Sequence, residues 1–258
     1  MPPDARSIPI EEPQPRRPSL PAVWLASTER VAEADDPKAR ARLAVVLSED
    51  EHRRLRALHS TRSRDLFLIA HYLKRRVLSI YSPDRHEVSW RFVSGSRGKP
   101  FIAPELDGGL QFNLSHAGTV AAVLVTSGQD CGVDVEHLRT DISCIDLARR
   151  FFHPAEARVV DARGSEAFHE YWTVKEAFIK LTGAGLSIPF DSFCVELEPR
   201  PRITLDGIGL DSIGPAAVEV FQRRLPGNYF LAAAIRGSAP IEPPAVRWLA
   251  ELAPTDRG

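Results

Sequence analysis

The segment Cys131-Gly-Val-Asp-Val-Glu136 sets the architecture of the second half of this chain, because it alternates in the two-residue period of a β-strand. On such a strand the side chains of Val133 and Val135 point to one face, and those of Asp134 and Glu136 emerge together on the other. Two neighbouring carboxylates repel each other in an apolar setting unless a cation or protons offset their charge. The segment therefore predicts either an oxygen-ligand site of the kind that suits Mg²⁺ or an exposed acidic strand face.

A long helix is predicted over residues 165–182, and it ends at Gly183, where glycine tolerates left-handed C-cap geometry. Its Trp172, Glu176 and Lys180 lie at i, i+4 and i+8 and so form one stripe. Taken alone, the stripe is typical of a weak surface Glu–Lys pair beside a core tryptophan. If Glu176 meets the two strand carboxylates, the three acids instead form a ligand set that Mg²⁺ takes together with phosphate oxygens.

The remaining pattern predicts two halves, each with a long helix followed by strands. Apolar residues recur at three- and four-residue steps over 64–81, and Ser48 followed by Glu51 is a capping-box signature before a helix at 48–58. The polar side of the longer helix is expected to carry Arg64, His71, Lys74 and Arg75. Further helices are predicted at 143–151 and 154–163, and strands at 23–26, 110–115, 120–125, 193–197 and 229–235. Residues 116–125 loosely resemble 225–235 in order and spacing, which is compatible with an internal repeat.

Four regions are expected: a disordered Pro-rich tail (1–21), an N-terminal lobe (22–128), a C-terminal lobe (129–239) and an extension (240–258). The composition, 43% hydrophobic and 26% charged over 258 residues, is that of a globular protein. The three cysteines are widely spaced without a CxxC pair, which favours a reducing compartment. Because no apolar run approaches the roughly 20 residues of a membrane span, we expect a cytoplasmic protein with no membrane partner.

Charge is unevenly distributed along the chain. The net charge of −1 excludes a uniformly basic nucleic-acid binder, so no nucleic-acid partner is expected. Residues 53–99 nevertheless contain twelve Arg or Lys against three acids, whereas residues 130–211 contain fifteen acids against nine bases. The first half therefore suits phosphates, and the second could hold a cation.

Two polar clusters are candidate phosphate or nucleotide contacts. Asn113, Ser115 and His116 lie at a predicted strand end, and Arg97-Gly-Lys-Pro100 is a tight basic turn. Ser115 is an improbable nucleophile, since no GxSxG elbow surrounds it. Gly183-Ala-Gly185 lacks the third glycine and the preceding strand of a dinucleotide fingerprint, and no HExxH occurs.

Four motifs in order make the chain resemble a known family, the 4'-phosphopantetheinyl transferases of the surfactin type. The motifs are Gly98-Lys-Pro100, Phe112-Asn-Leu-Ser-His116, Gly132-Val-Asp-Val-Glu136 and Trp172-Thr-Val-Lys-Glu-Ala-Phe-Ile-Lys180. Each is weak alone, but the ordered set is specific, and the resemblance runs from about residue 48 to residue 236. It implies an α/β (α+β) fold with pseudo-twofold symmetry, in which each of two lobes is a sheet packed on a long helix and coenzyme A binds between them. The N-terminal tail and residues 200–224 do not match the family pattern.

The resemblance also implies an activity and a set of roles. Such enzymes transfer the 4'-phosphopantetheine group of coenzyme A to a serine hydroxyl of an apo acyl or peptidyl carrier protein and release 3',5'-ADP. The carrier could serve fatty acid, polyketide or nonribosomal peptide synthesis. By similarity, Asp134, Glu136 and Glu176 would coordinate Mg²⁺, Glu176 would act as general base, and Lys180 would neutralise phosphate charge. The coenzyme A contacts implied are Gly98, Lys99 and Pro100 around the adenine, Ser115, His116 and Lys180 at phosphates, and Arg64, with Arg75 as a weaker candidate, at the 3'-phosphate. Arg97, in the same basic turn, is a further implied contact.

Two other interpretations stay open from the sequence. One is a non-catalytic module that binds coenzyme A or a carrier protein, and the other is a Mg²⁺-dependent hydrolase of a nucleotide pyrophosphate. Intact carboxylates and Lys180 argue against a pure binder. Because two-lobed members of the family are monomers whereas single-lobe relatives trimerise, we expect a monomer.

Overall fold

The computed structural model describes residues 18–29, 37–95, 97–205, 217–238 and 240–249. The expected disordered tail therefore lies outside the described residues over 1–17, as does the end of the expected extension, over 250–258. The helices are α1 (Pro37–Ala44), α2 (Glu49–Ala57), α3 (Thr61–Tyr81), α4 (Cys144–Phe151), α5 (Pro154–Arg163) and α6 (Ser165–Thr182). The strands are β1 (Ala22–Ser27), β2 (Phe92–Ser94), β3 (Pro100–Ile102), β4 (Leu110–Ala117), β5 (Val120–Ser127), β6 (Cys131–His137), β7 (Phe193–Glu196), β8 (Arg202–Leu205), β9 (Ala217–Leu225), β10 (Tyr229–Gly237) and β11 (Ala245–Trp248). Short 3₁₀ turns lie at Glu87–Ser89, Pro104–Leu106, Gly185–Ser187 and Phe190–Ser192.

The two halves repeat one topology, which confirms the expected two-lobed α/β fold. In the first half, β1 is followed by the long helix α3 and the hairpin β4–β5, and the strand order is β1-β5-β4. In the second half, β6 is followed by the long helix α6 and the hairpin β9–β10, and the order is β6-β10-β9. In both, the last strand of the hairpin lies in the centre and pairs antiparallel with both neighbours. The internal repeat is therefore one of topology as well as of sequence order.

Three apolar clusters arrange these elements in layers. The first packs α3 against one face of the β1-β5-β4 sheet, and the second packs α6 against the β6-β10-β9 sheet. The third fills the space between the sheets, where Val23 and Leu25 belong to the same cluster as Val133 and Val135. The predicted alternation of β6 is thus confirmed on its apolar side, since both valines are fully buried. The two lobes therefore share this third cluster as a common core. Its burial holds them together, because removing apolar surface from water contributes roughly 25 cal/mol per Å².

The first lobe holds a buried charge cluster that the sequence pattern did not predict. Lys74 and Arg75, expected on the polar side of α3, are only 3% and 2% exposed. Both bond the carboxylate of Glu51, at 3.2 Å and 2.6 Å, while Glu51 also caps α2 through the predicted box with Ser48. The expectation of a solvated face was wrong here, because α2 lies across α3 and supplies the counter-charge that makes burial tolerable.

The last described strand returns to the first lobe. β11 pairs in parallel with β1, with Ala22 opposite Ala245 and Leu25 opposite Trp248. The expected extension at 240–258 therefore contributes the edge strand of the first sheet. Helix α1 and strands β2, β3, β8, β9 and β11 were not predicted; most are short, and β9 follows a stretch without a recognisable pattern. Within the described residues, no helix is both long and apolar enough to cross a bilayer.

Candidate active site at the junction of the lobes

Three polar side chains from β4, β6 and α6 meet where the lobes join. The Lys180 ammonium donates to Asp134 Oδ1 at 2.5 Å and to Ser115 Oγ at 2.9 Å. The Ser115 hydroxyl in turn donates to Asp134 Oδ1 at 2.8 Å. Asp134 and Ser115 are 2% and 6% exposed, so this carboxyl group is buried with one ammonium beside it. The α6 stripe therefore contacts Asp134 of β6 through Lys180, and the gathering of Asp134, Glu136 and Glu176 around one cation stays a prediction.

A glycine lets the helix approach the strand closely enough for these contacts. A Cβ atom on Gly132 would lie 2.0 Å from Ala177 O and 2.3 Å from Leu181 N, both in the backbone of α6. No side chain fits in that space, since real Cβ atoms do not approach backbone atoms so closely. The absence of a side chain at Gly132 therefore sets how near Glu176 and Lys180 come to Asp134.

The three carboxylates of the site lie where ionisation is unfavourable. Burial raises the pKa of Asp134, and the ammonium of Lys180 opposes the rise. Burial and repulsion from Asp134 raise the pKa of Glu136 to about 7, against a hydrogen bond from the Trp172 side chain. Burial and the charge of Asp134 also raise the pKa of Glu176. One ammonium does not offset one buried and two partly buried acids, so the site has a deficit of positive charge.

This donor set fits a hard divalent cation. Asp134 Oδ2 is buried and has no hydrogen-bond partner, whereas Oδ1 of the same carboxyl group accepts from Ser115 and Lys180. An unpartnered carboxylate oxygen beside two further acids is the oxygen-only chemistry that Mg²⁺ prefers. Among the described residues, however, no three His, Cys, Asp or Glu side chains are gathered into a formed metal site. A bound cation would therefore have to bring the three carboxylates closer together than they lie in this structure.

Lys175 faces away from the site. It is fully buried, bonds Phe190 O at 2.6 Å and Phe193 O at 2.8 Å, and pairs with Glu156 at 2.9 Å. Glu156 also accepts the N–H of Val195 at 2.6 Å. This pair on the far side of α6 fixes the rotation of the helix, so that Glu176 and Lys180 point to β6.

The predicted basic turn at 97–100 joins the first lobe to the second. Lys99 donates to Cys131 O at 2.9 Å and to Leu181 O at 3.1 Å, and its stem lies against Gly183. The last carbonyls of a helix attract cations, which explains why the ammonium is held there. Gly98 has φ +84 and open space around it, so its backbone can approach a ligand.

The other predicted coenzyme A contacts are distributed around this junction. His116 and Arg97 are exposed, and Arg64 is exposed at the start of α3, where its Nε donates to Leu58 O at 2.8 Å. Ser115 is engaged with Asp134 and Lys180, so a phosphate contact through its hydroxyl stays a prediction. Arg75 is not available for a 3'-phosphate, because its guanidinium is buried on Glu51.

Sequence analysis missed two contributors to the site. Asn113, taken as a phosphate candidate, accepts the N–H of Val133 at 2.9 Å and thereby holds β6. Tyr229 accepts the N–H of Thr119 at 2.8 Å and so fixes the turn after His116. The sequence carried no signal for Tyr229, because its contact joins the two lobes. Gly132 did carry one, since a glycine inside a predicted strand indicates the close approach of another backbone segment.

Comparisons with known proteins point to one family. Residues 130–234 match the model of the 4'-phosphopantetheinyl transferase superfamily. The 4'-phosphopantetheinyl transferase HetI of Nostoc sp. is 34% identical over 160 residues, which cover 59% of this chain and 67% of that protein. Sfp of Bacillus subtilis is 29% identical over 181 residues, covering 68% and 77%. A solved structure titled Chronobacterium ammoniagenes ACPS-CoA complex aligns with 43% of this chain and 98% of its own, at 20% identity and a TM-score of 0.35.

The chain therefore belongs to the 4'-phosphopantetheinyl transferase family. The family match covers the second lobe, in which β6 and α6 carry the carboxylates and Lys180. It is a transferase family that modifies carrier proteins, and the resemblance drawn from the four motifs is confirmed.

Proposed function

We propose that this transferase moves the 4'-phosphopantetheine group of coenzyme A onto a serine hydroxyl of an apo acyl or peptidyl carrier protein, with Mg²⁺ held at the lobe junction. The observation that carries the proposal is the Lys180–Asp134–Ser115 contact beside two further carboxylates of raised pKa. A pure binding surface has no need of three acids in an environment that disfavours their charge.

In this reaction the serine oxygen bonds to the β-phosphorus while the bond from that phosphorus to the 3',5'-ADP oxygen breaks. Glu176 takes the proton of the serine hydroxyl, directly or through water. Its raised pKa suits that role, because a carboxylate with a pKa nearer to neutral accepts a proton more readily. The ammonium of Lys180 pairs with phosphate oxygens and offsets their charge during transfer.

Asp134, Glu136 and Glu176 would hold the magnesium ion. When bound, it would supply positive charge to the pyrophosphate, as metal ions do in phosphoryl transfer. The orphaned Oδ2 of Asp134 supports this assignment from the protein side. Arg64, Arg97 and His116 would meet coenzyme A phosphates from the first lobe, and the backbone of Gly98–Pro100 would border the adenine.

The test is intact mass measurement of apo acyl and peptidyl carrier proteins incubated with the full chain and coenzyme A, with Mg²⁺ or with EDTA. We expect a metal-dependent gain of one phosphopantetheinyl group on a carrier serine. Release of 3',5'-ADP without a carrier would instead indicate a hydrolase. Coenzyme A binding without transfer to any carrier would indicate a binding module.

Glu176→Gln tests the general base within the same assay. We expect kcat to fall by about 10²–10⁴-fold, the usual contribution of a positioned proton acceptor. The control is Glu166→Gln, which changes an exposed carboxylate of the same helix that pairs with the exposed Arg224. Unchanged turnover in Glu176→Gln would remove that residue from the mechanism, whereas 3',5'-ADP affinity measured in EDTA should stay near that of the parent.

A further inference from the structure

Among the described strands, none pairs with the edge of β6 that faces the first lobe. β4 ends the first sheet and β6 ends the second, and the described residues show no β-ladder between them. Hydrogen bonds from Arg236 N to Asp130 O and from Leu138 N to Asn228 O flank the ladder with β10. Backbone groups of alternate residues point to opposite edges of a strand, so the even-numbered residues of β6 serve β10. The odd-numbered residues therefore direct their N–H and C=O groups to the first lobe, where burial makes an unpaired group costly.

Side chains from the first lobe bond to one backbone group of each of the odd-numbered residues 131, 133 and 135. Cys131 O accepts from Lys99 at 2.9 Å, and Val133 N donates to Asn113 Oδ1 at 2.9 Å. At the third odd position, Val135 N lies 3.4 Å from Ser115 Oγ, a longer contact. Asn113 and Ser115 are two residues apart on β4, which matches the two-residue spacing of their partners on β6. The two strands thus run side by side in the same direction, joined by side chains.

We propose that Lys99, Asn113 and Ser115 are positioning residues that form a side-chain seam in place of a β-ladder between β4 and β6. The seam fixes the second lobe against the first along the part of β6 that carries Asp134. Ser115 extends it into the site by bonding Asp134 and Lys180. Lys99 extends it to the end of α6 through Leu181 O. The consequence for catalysis rests on the proposed function, whereas the seam itself does not.

Two of these residues therefore have a purpose other than direct contact with coenzyme A. Asn113 is 4% exposed, and its amide oxygen is already used by a backbone N–H of the other lobe. The Lys99 ammonium is used by two backbone carbonyls, and burial lowers its pKa. Loss of either side chain should let the lobes shift, which would misplace Asp134 rather than remove a ligand contact.

Amide hydrogen exchange, followed by NMR on the full chain without coenzyme A or metal, tests the seam directly. Asn113→Ala should speed the exchange of the Val133 N–H by about tenfold or more, because its acceptor is gone. Asn113→Asp keeps an oxygen at that place and should restore protection. Ser79→Ala is the matched control, since Ser79 is buried in the same lobe but does not belong to the seam. Its hydroxyl oxygen accepts a hydrogen bond from Trp90 Nε1 at 2.9 Å. Unchanged exchange at Val133 in Asn113→Ala would overturn the proposal.

Kinetics then test the positioning role once transfer by the parent chain has been measured. Asn113→Ala and Lys99→Met should lower kcat by about tenfold and leave 3',5'-ADP affinity in EDTA within about twofold. A raised KM for coenzyme A with unchanged kcat would assign these side chains to ligand binding and overturn the seam as a positioning device. If Asn113→Ala does not fold, Lys99→Met carries the test alone, because its half-buried side chain leaves the β4 core untouched. Absence of transfer in the parent would contradict the proposed function but not the exchange result.

Discussion

Gly132→Ala is the substitution whose effect follows most directly from the geometry. The added methyl carbon would lie 2.0 Å from Ala177 O and 2.3 Å from Leu181 N. A carbon atom normally approaches a carbonyl oxygen to about 3.3 Å, so β6 and α6 must separate by roughly 1.3 Å. Both obstacles are backbone atoms, which cannot rotate away. The Lys180–Asp134 contact of 2.5 Å bridges these same two elements, and this separation would take it to about 3.8 Å, beyond hydrogen-bond distance.

We expect this variant to lose about 3 kcal/mol or more of unfolding free energy, as overpacking against rigid backbone does. For a chain of this size that lowers Tm by roughly 6–12 °C. Transfer activity should fall by about 10²-fold, the effect of a displacement near 1 Å among catalytic groups. Differential scanning calorimetry and the carrier mass assay measure the two effects.

The matched control is Gly108→Ala, because a Cβ there meets nothing within 4 Å. It should stay within about 0.5 kcal/mol of the parent and transfer normally. If Gly132→Ala were as stable and as active as Gly108→Ala, the close approach of α6 to β6 would not be what assembles the site.

The remaining predictions concern Glu136 and the buried pair Glu156–Lys175. Because the pKa of Glu136 is raised to about 7 from an ordinary 4.5, its protonated form stabilises the metal-free fold. That stabilisation is complete below about pH 4.5 and lost as pH rises through 7, amounting to at most about 3 kcal/mol. Urea unfolding in EDTA between pH 5 and pH 8 should show the decline, and an equally steep decline in Glu136→Gln would contradict the assignment. For the fully buried pair Glu156–Lys175, Lys175→Met alone should destabilise by about 3–5 kcal/mol, because it leaves a carboxylate unpaired. The double variant with Glu156→Gln should recover part of that loss in the same urea experiment, and strict additivity would show that the two groups are not coupled.

The sequence was sufficient to predict β6 and α6, the two elements that carry the carboxylates and Lys180. The two-residue period of β6 and the stripe on α6 each depend on local geometry alone, so the faces of Asp134 and Glu176 could be predicted from spacing. The order of elements in the two halves also indicated the repeat. That prediction succeeded because a strand, a long helix and a hairpin are each encoded within a continuous stretch.

Contacts between distant segments could not be predicted from the sequence, because no continuous stretch encodes them. Nothing near Arg75 indicates that Glu51, 24 residues earlier, lies against it and buries it. Likewise Ser115 and Asn113 were interpreted as ligand contacts, because polar residues at a strand end usually meet solvent or substrate. Their partners on β6 become neighbours only when the two sheets meet edge to edge, which is a property of the tertiary arrangement.

The parallel pairing of β11 with β1 has a consequence for synthesis on the ribosome. The first lobe needs a strand that is translated only after the whole of the second lobe, so its sheet stays incomplete while most of the chain emerges. Until then β1 presents a free edge of backbone donors and acceptors, the kind of edge that can pair with a neighbouring nascent chain. A gene split between β5 and β6 would thus yield a first fragment that lacks its own edge strand. Complementation of such fragments should depend on residues 245–248 being supplied in trans.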